Sequence, residues 1–243
     1  MNSNNDIIPE IDYKSELKRI YNMGWVKSLR SSNTGIGYTL ETLLGIPENN
    51  REGADFQFGG DYFELKSQRN NCASLITLFT KEPIKNSLKD VEMMNKYGYI
   101  DSSGRQALKI TLTTKEFVPQ GLKLEVDNVT DEIKIVHKDD GVLWYYNLDT
   151  LINKLKQKLS AKLVLVIADS KKENGVEYFY YNKAYTLEGL SEHNFMKLIQ
   201  DGKVVIDFRM HIKGNGKSRN HGTAIRMMEC SMPELFENIN AIL

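Results

Sequence analysis

GADFQFGGDYFELKSQ, residues 53–68, sets three charges into an apolar and aromatic segment: Asp55, then Glu64, then Lys66. Two short alternating runs, ADFQF and DYFELKS, meet at Gly59-Gly60. That junction predicts a β-hairpin, because glycine supplies the backbone freedom a tight turn needs. Side chains alternate along a strand, so Glu64 and Lys66 share one face while Phe63 and Leu65 point the other way. Asp55 lies on the preceding strand and can turn onto the same face. Two carboxylates and a lysine on one surface suit phosphodiester hydrolysis. The carboxylates can hold Mg²⁺ through oxygen, with waters and a phosphate oxygen completing its octahedron. The lysine can orient the attacking water and favour hydroxide. As a bare string, the spacing is equally that of a solvated hairpin face whose Glu–Lys pair is worth under about 1 kcal/mol. Glu41, in GYTLETLLGI, stands beside Leu40, Leu43 and Leu44, an apolar stripe that docks its helix. It is either a third acidic group for the hairpin or a plain surface glutamate.

Composition narrows the class. The chain has 243 residues, 41% hydrophobic and 26% charged, enough to bury a sizeable core in one large domain or two lobes. Its 32 basic and 32 acidic residues cancel, so a case for nucleic acid must rest on local patches. Cys72 and Cys230 are far apart and without zinc spacing, which predicts two free thiols in a reducing compartment. The start MNSNNDIIPEIDYKSELK has neither a basic n-region nor an apolar h-region, so no export signal is expected. The longest apolar run, LVLVIA (163–168), is too short to span a bilayer. These features predict a cytoplasmic protein with no membrane partner. Four histidines include no pair at helical metal spacing, which excludes a zinc protease of that kind. The GIG at 35–37 is no dinucleotide fingerprint, since no strand precedes it and the third glycine is missing.

Periodicity predicts a helix to about Asn22, a second over 35–44, the hairpin, a buried strand in ASLITLFTK and a short helix in LKDVEMMNKYG. Alternating strands follow from about 107 to 147. An amphipathic helix (LDTLINKLKQKL) then precedes the buried strand AKLVLVIADS, the strand VEYFYYNKAYTLE, a helix ending at Gly202 and the strand KVVIDFRMHIK. A loop, the strand TAIRMME and a closing helix in MPELFENINAIL complete the chain. The result is an α/β or α+β protein, a mixed sheet flanked by helices. In YFYYNKAY the tyrosines fit ordinary packing, with Tyr181 or Lys183 as alternatives for a sugar-phosphate contact. Near the end, FRMHIKGNGKSRNHGTAIR (208–226) holds five Lys or Arg, two His and no acid. Strands on both sides make it a β-ribbon with a basic tip. It is either a solvated loop or a ribbon of the kind that enters a major groove, where arginine bonds guanine O6 and N7.

The segments NTGIGYTLETLLGI, ENN, ADF, FELKSQR and SLITLFTKEP together resemble the MvaI/BcnI group of type II restriction endonucleases, relatives of the MutH nicking enzyme in the PD-(D/E)xK superfamily. NKYGYI, AKLVLVIADSKKEN, YFYYNKAY, LIQDGKVVIDFRM and HGTAIR continue the likeness in the same order, from about Trp25 to the end. The resemblance implies a PD-(D/E)xK restriction-endonuclease-like fold, MutH-like and two-lobed, with a DNA-binding cleft. It implies one endonuclease unit over 1–243, its catalytic lobe centred on about 25–100 and its DNA-recognition lobe including about 105–147 and 203–228. Asp55 and Glu64 would bind metal (Mg²⁺, with Mn²⁺ substituting), Lys66 would be the superfamily lysine, and Glu41 would complete the acidic cluster. His221 and Arg226, with Arg209 and His211 on the partner strand, would read G·C pairs. Asp207 would orient an arginine or accept from cytosine N4, while Lys213, Lys217 and Arg219 would contact phosphates. Two positions depart from the pattern. Ala54 replaces the usual proline, and Thr80 stands where some members carry a histidine near the active site. The implied activity is Mg²⁺-dependent cleavage of double-stranded DNA at a short G·C-flanked site of CCNGG type. It would be carried out by a bacterial cytoplasmic monomer that nicks the strands in turn, with a DNA methyltransferase as genetic partner. A MutH-like nicking enzyme and a catalytically inactive DNA-binding protein of the same fold are the alternatives.

Overall fold

The computed structural model describes residues 8–48, 54–71, 74–159 and 162–243. Cys72, Gly53 and the two asparagines of the ENN segment lie outside these residues. The elements run in chain order as α1 (Tyr13–Asn22), β1 (Val26–Lys27), α2 (Gly35–Leu44), β2 (Phe56–Phe58), β3 (Asp61–Arg69), β4 (Leu75–Thr80) and β5 (Ile84–Lys85). Next come α3 (Asp90–Tyr97), β6 (Tyr99–Ile100), β7 (Gln106–Leu112), β8 (Leu122–Asp127), β9 (Glu132–His137), β10 (Gly141–Asn147) and α4 (Leu148–Lys158). The chain finishes with β11 (Lys162–Glu173), β12 (Val176–Leu190), α5 (Glu192–Gln200), β13 (Val204–Ile212), β14 (Ser218–Asn220), β15 (Ala224–Met228), a 3-10 helix (Glu229–Leu235) and β16 (Phe236–Ala241). These elements fall into two compact units. One comprises Met1–Ala73, Leu159–Leu190 and Phe236–Leu243, the other Ser74–Lys158 and Ser191–Leu235.

The first unit is built on a mixed sheet in the order β1-β12-β11-β3-β2, with β16 also beside β12. Strand β3 runs parallel to β11, with Glu64 opposite Leu163 and Lys66 opposite Leu165. Gly59 and Gly60, both at positive φ, make the β2–β3 turn (61° and 86°) that the sequence predicted. Phe63 and Leu65 enter the core with Ile36, Leu40 and Leu44 of α2, Leu17 and Ile20 of α1, and Val164 and Val166 of β11. Burying one such side chain stabilises the fold by about 1.5–3 kcal/mol. Helix α1 begins at Asp12, whose carboxylate accepts from Ser15 N at 3.2 Å, and α2 stops at Gly45 in the left-handed region. Tyr181 is fully buried and its hydroxyl donates to Ile36 O at 2.8 Å, which removes it as a phosphate contact.

One predicted element is corrected. The segment expected to be a closing helix forms a 3-10 helix to Leu235 and then β16, antiparallel to β12 with Leu187 opposite Ile239. The apolar residues Leu235, Phe236, Ile239 and Ile242 have helical spacing. Pro233, which cannot donate, and an open edge on β12 decide otherwise.

In the second unit β4-β15-β13-β7-β6 form one sheet, with β14 also on β13, and β5-β10-β9-β8 form another. Trp144, fully buried, donates from Nε1 to Leu88 O at 2.7 Å. Helix α4 buries Leu151, Ile152 and Leu155 and keeps its lysines on the wet side. Among the described residues no helix is long and apolar enough to cross a membrane. Cys230 is a free, exposed thiol.

Candidate functional site

Asp55 is fixed by the strand it precedes. Its backbone N–H donates to Phe63 O at 2.8 Å, extending the hairpin ladder by one step. Its Oδ2 accepts Leu65 N–H at 2.7 Å, taking the place of a backbone carbonyl where β2 has ended. Across the pleat, Lys66 Nζ lies 2.5 Å from Glu64 Oε1, with the lysine half-exposed and Glu64 18% exposed. The alternation is as expected: Phe63 and Leu65 are buried and Glu64 and Lys66 face away from them. Glu41 comes to this group from α2. Burial first, and then the charge of Asp55, raise its carboxyl above the ordinary glutamate value, while Lys66 pulls it back. The four residues singled out in the sequence therefore act on one another through charge and hydrogen bonding within one unit.

That raised value predicts a pH-dependent effect. Ionising Glu41 opposes folding, so its stabilising share is fully present below the unfolded value, about 4.3, and is lost as pH rises through the folded value. Replacing Glu41 with Gln should raise Tm by about 1–3 °C at pH 7–8, with the gain fading towards pH 4. Differential scanning calorimetry across that range checks it, and a loss of stability at pH 7–8 would contradict it.

Among the described residues, no three His, Cys, Asp or Glu side chains gather into a metal cage. Asp55 and Glu64 remain as two hard oxygen donors, with Glu41 near enough to feel Asp55. Such a donor set fits Mg²⁺, which keeps several waters and is held by one or two carboxylates together with substrate phosphates.

The charged face continues past Lys66. Asp169 on β11 accepts from Asn70 Nδ2 at 2.8 Å and Asn182 Nδ2 at 2.7 Å, and Lys183 Nζ donates to Asn70 Oδ1 at 3.3 Å. Asn182 occupies a bulge where the β11–β12 register shifts.

The eight residues expected to meet DNA lie in the second unit. Asp207, Arg209 and His211 alternate along β13, with Phe208 and Met210 on the buried face. Asp207, only 5% exposed, gathers a cluster: its Oδ2 accepts from Arg209 Nη2 at 2.7 Å and Arg226 Nη1 at 2.9 Å, and its Oδ1 accepts from Thr111 Oγ1 at 3.0 Å. These partners are the arginines that the first of the two roles expected for Asp207 requires. His221 is exposed and its ring lies 5.6 Å from that of buried His211. Lys213, Lys217 and Arg219 are all exposed at the ribbon tip, where Lys213 and Lys217 close the turn through Lys213 N donating to Lys217 O at 2.9 Å. The ribbon is longer than expected, because β14 pairs with Met210–Ile212 before β15 pairs with Val204–Asp207. An open cavity of about 560 Å³ is lined by Lys109 and Thr111 of β7, Asp207 and Arg209 of β13, and His221, among others. Thr80 sits opposite Ala224 and against Gly222, the residue after His221. Sequence reading missed Lys109, Thr111 and Arg105 of β7 and the turn before it. The signal available was the alternation of Lys109 and Thr111 with buried Leu108, Ile110 and Leu112.

Three comparisons bear on this arrangement. The chain matches the family model described as the MvaI/BcnI restriction endonuclease family over residues 14–236. It resembles a solved structure described as a restriction endonuclease MvaI–cognate DNA substrate complex, with 28% identity, coverage of 95% of this chain and 97% of that one, and a TM-score of 0.68. It also resembles restriction endonuclease MvaI in the absence of DNA, with 26% identity, coverage of 95% and 96%, and a TM-score of 0.64. No curated protein matches the chain.

Proposed function

The chain belongs to the MvaI/BcnI restriction endonuclease family, and from that membership we propose how its own residues cut DNA and where. It is a site-specific deoxyribonuclease of type II. The observation that carries the residue assignment is the face holding Asp55, Glu64 and Lys66, with Asp55 locked onto the β3 backbone and Glu41 pressed by its charge. Asp55 and Glu64 hold the divalent cation, Mg²⁺ or Mn²⁺ in its place. A bound ion there would supply charge neutralisation at the scissile phosphate and a lower pKa for the attacking water. Lys66 orients that water and favours its deprotonation. Glu41, raised first by burial and then by the charge of Asp55, completes the acidic cluster. Arg209 and Arg226, held by Asp207, donate to guanine O6 and N7. His221 adds a further donor at the cavity rim, His211 supports it from beneath, and Lys213, Lys217, Arg219 and Lys183 contact phosphates.

The substrate is double-stranded DNA at a G·C-flanked site of CCNGG type. The enzyme acts as a monomer that nicks one strand and then the other, with the first unit catalytic and the second reading sequence. Its setting is the bacterial cytoplasm, with a methyltransferase protecting the host's own sites. Digestion of a supercoiled plasmid of known sequence tests this reading. Discrete fragments with Mg²⁺ and none with EDTA are expected, preceded by a transient open circle, and the fragment ends give the site. Nicked circles that never become linear would establish the MutH-like alternative instead. Intact plasmid with all metals, beside salt-sensitive binding, would establish a binding protein.

Metal binding has a readout apart from cleavage. Mg²⁺ in excess of its Kd should raise the Tm of the wild-type protein, by mass action on the folded state. It should leave the Tm of the Asp55→Asn, Glu64→Gln double variant unmoved. Equal shifts in both proteins would place the ion elsewhere.

A further inference from the structure

The turn before β7 repeats, with different residues, what Asp207 does on β13. Asp101 is buried, its side chain 5% exposed. It accepts from Arg105 Nη2 at 2.8 Å, Lys109 Nζ at 2.8 Å, Ser103 N at 2.9 Å and Arg105 N at 3.1 Å. The Arg105 and Lys109 hydrogen bonds hold its carboxyl well below the usual carboxylate range. Its two cations stay 40% and 39% exposed. One buried carboxylate fixes two cations in each case: half-exposed Arg209 and the more deeply set Arg226 on Asp207, half-exposed Arg105 and Lys109 on Asp101.

The two sets meet. Lys109 stands opposite Arg209 in the β7–β13 register, and Thr111 stands opposite Asp207. Lys109 lines the same cavity as Asp207, Arg209 and His221. On the other side, Arg105 Nη1 lies 3.4 Å from His211 Nε2. Arginine can only donate, so Nε2 accepts and the imidazole proton sits on Nδ1. That buried Nδ1 has no hydrogen-bond partner among the described residues. Burial, and then the charge of Arg105, lower the pKa of His211, so the positive charge at this edge belongs to Arg105 and Lys109. One aspartate neutralises one of those two charges and leaves a net positive edge. Fixing long side chains in advance also removes entropy that binding would otherwise cost.

We propose that Arg105 and Lys109, presented by the positioning residue Asp101, form a second pair of hydrogen-bond donors for acceptor atoms of bound DNA, beside those taken by Arg209. The proposal rests on the recognition role given above to the second unit. The acceptors are a guanine edge or phosphate oxygens, and one experiment separates these sources. Binding of wild type, Lys109→Met, Asp101→Asn and the double variant is measured in EDTA by fluorescence anisotropy. The probes are a duplex bearing the mapped site, its single-base variants and an unrelated duplex, across a range of salt. Lys109→Met should weaken binding to the mapped site about tenfold or more. Loss confined to one base pair, with an unchanged salt slope, assigns a base edge. Uniform loss, with the salt slope smaller by about 1, assigns a phosphate. Asp101→Asn should lose at least as much, because it releases both donors, and the double variant should lose no more than Asp101→Asn alone, because Lys109 is already released there. Thermal unfolding of each variant verifies that it is folded. Binding by Lys109→Met equal to wild type on every duplex would overturn the proposal, as would additive losses in the double variant. A wild-type protein that binds no duplex would overturn the recognition reading, and this proposal with it.

Discussion

Lys66→Ala should cut cleavage in a single turnover by about 10²–10⁴-fold, the range a positioned acid–base group supplies. DNA affinity in EDTA should stay within about fivefold of wild type. The reason lies in the geometry of one strand. Lys66 and Glu64 project from the same face of β3, with Nζ 2.5 Å from Oε1, while Leu65 between them anchors the strand in the core. Removing the ammonium leaves the fold's buried face untouched and removes the charge beside the two carboxylates. Lys66→Arg should fail nearly as badly, since a planar guanidinium on a longer stem cannot put one compact charge in the same place. Quenched-flow cleavage beside anisotropy binding makes the comparison. Wild-type rates in Lys66→Ala would take the lysine out of the chemistry.

Asp207→Ala should produce the second large effect, on recognition and stability together. The buried carboxylate is shared by Arg209, Arg226 and Thr111 at 2.7–3.0 Å. Truncating it takes the carboxylate from two guanidiniums, leaves Arg226 with Leu75 O as its acceptor, and leaves an uncompensated charge at a site where Arg226 is only 19% exposed. Breaking a buried pair from one side costs about 3–5 kcal/mol, and a denaturant titration reads that loss. In the folded variant the arginines no longer share one orientation. Discrimination against a changed G·C pair should fall by the about 1–3 kcal/mol that a bidentate contact supplies, for each arginine affected. Asp207→Asn should keep part of the stability, because an amide oxygen still accepts, and lose most of the discrimination. Unchanged discrimination in both variants would mean that the arginines do not read bases.

What could be read from the sequence followed from local rules. The Gly59-Gly60 hairpin, the alternation in FELK and the basic ribbon each depend on residues a few positions apart; the first two stand where periodicity put them, and the ribbon stands lengthened by β14. The mixed sheet also stands, with β3 parallel to β11 at its centre. The missed features depended on partners far away in the chain. Residues 236–241 have helical spacing and became a strand because β12 offered an unpaired edge some fifty residues earlier. Asp101, Arg105 and Lys109 look like ordinary turn and strand charges. Their meaning appears only when Lys109 is set opposite Arg209 by the register of β7 against β13. Composition gave no help, because 32 basic and 32 acidic residues conceal a local excess of cations. Tyr181 follows the packing expected of the YFYYNKAY tyrosines: it is buried and its hydroxyl is spent on the α2 backbone, which removes the alternative of a sugar-phosphate contact.

The measurement closest to the central claim is the position of a divalent ion in crystals of the protein with its DNA, grown with Mn²⁺ and read by anomalous scattering. The account predicts a peak in contact with carboxylate oxygens of both Asp55 and Glu64 and with a phosphate oxygen of the DNA. A DNA-bound crystal whose Mn²⁺ peaks all lie away from Asp55 and Glu64 would contradict it.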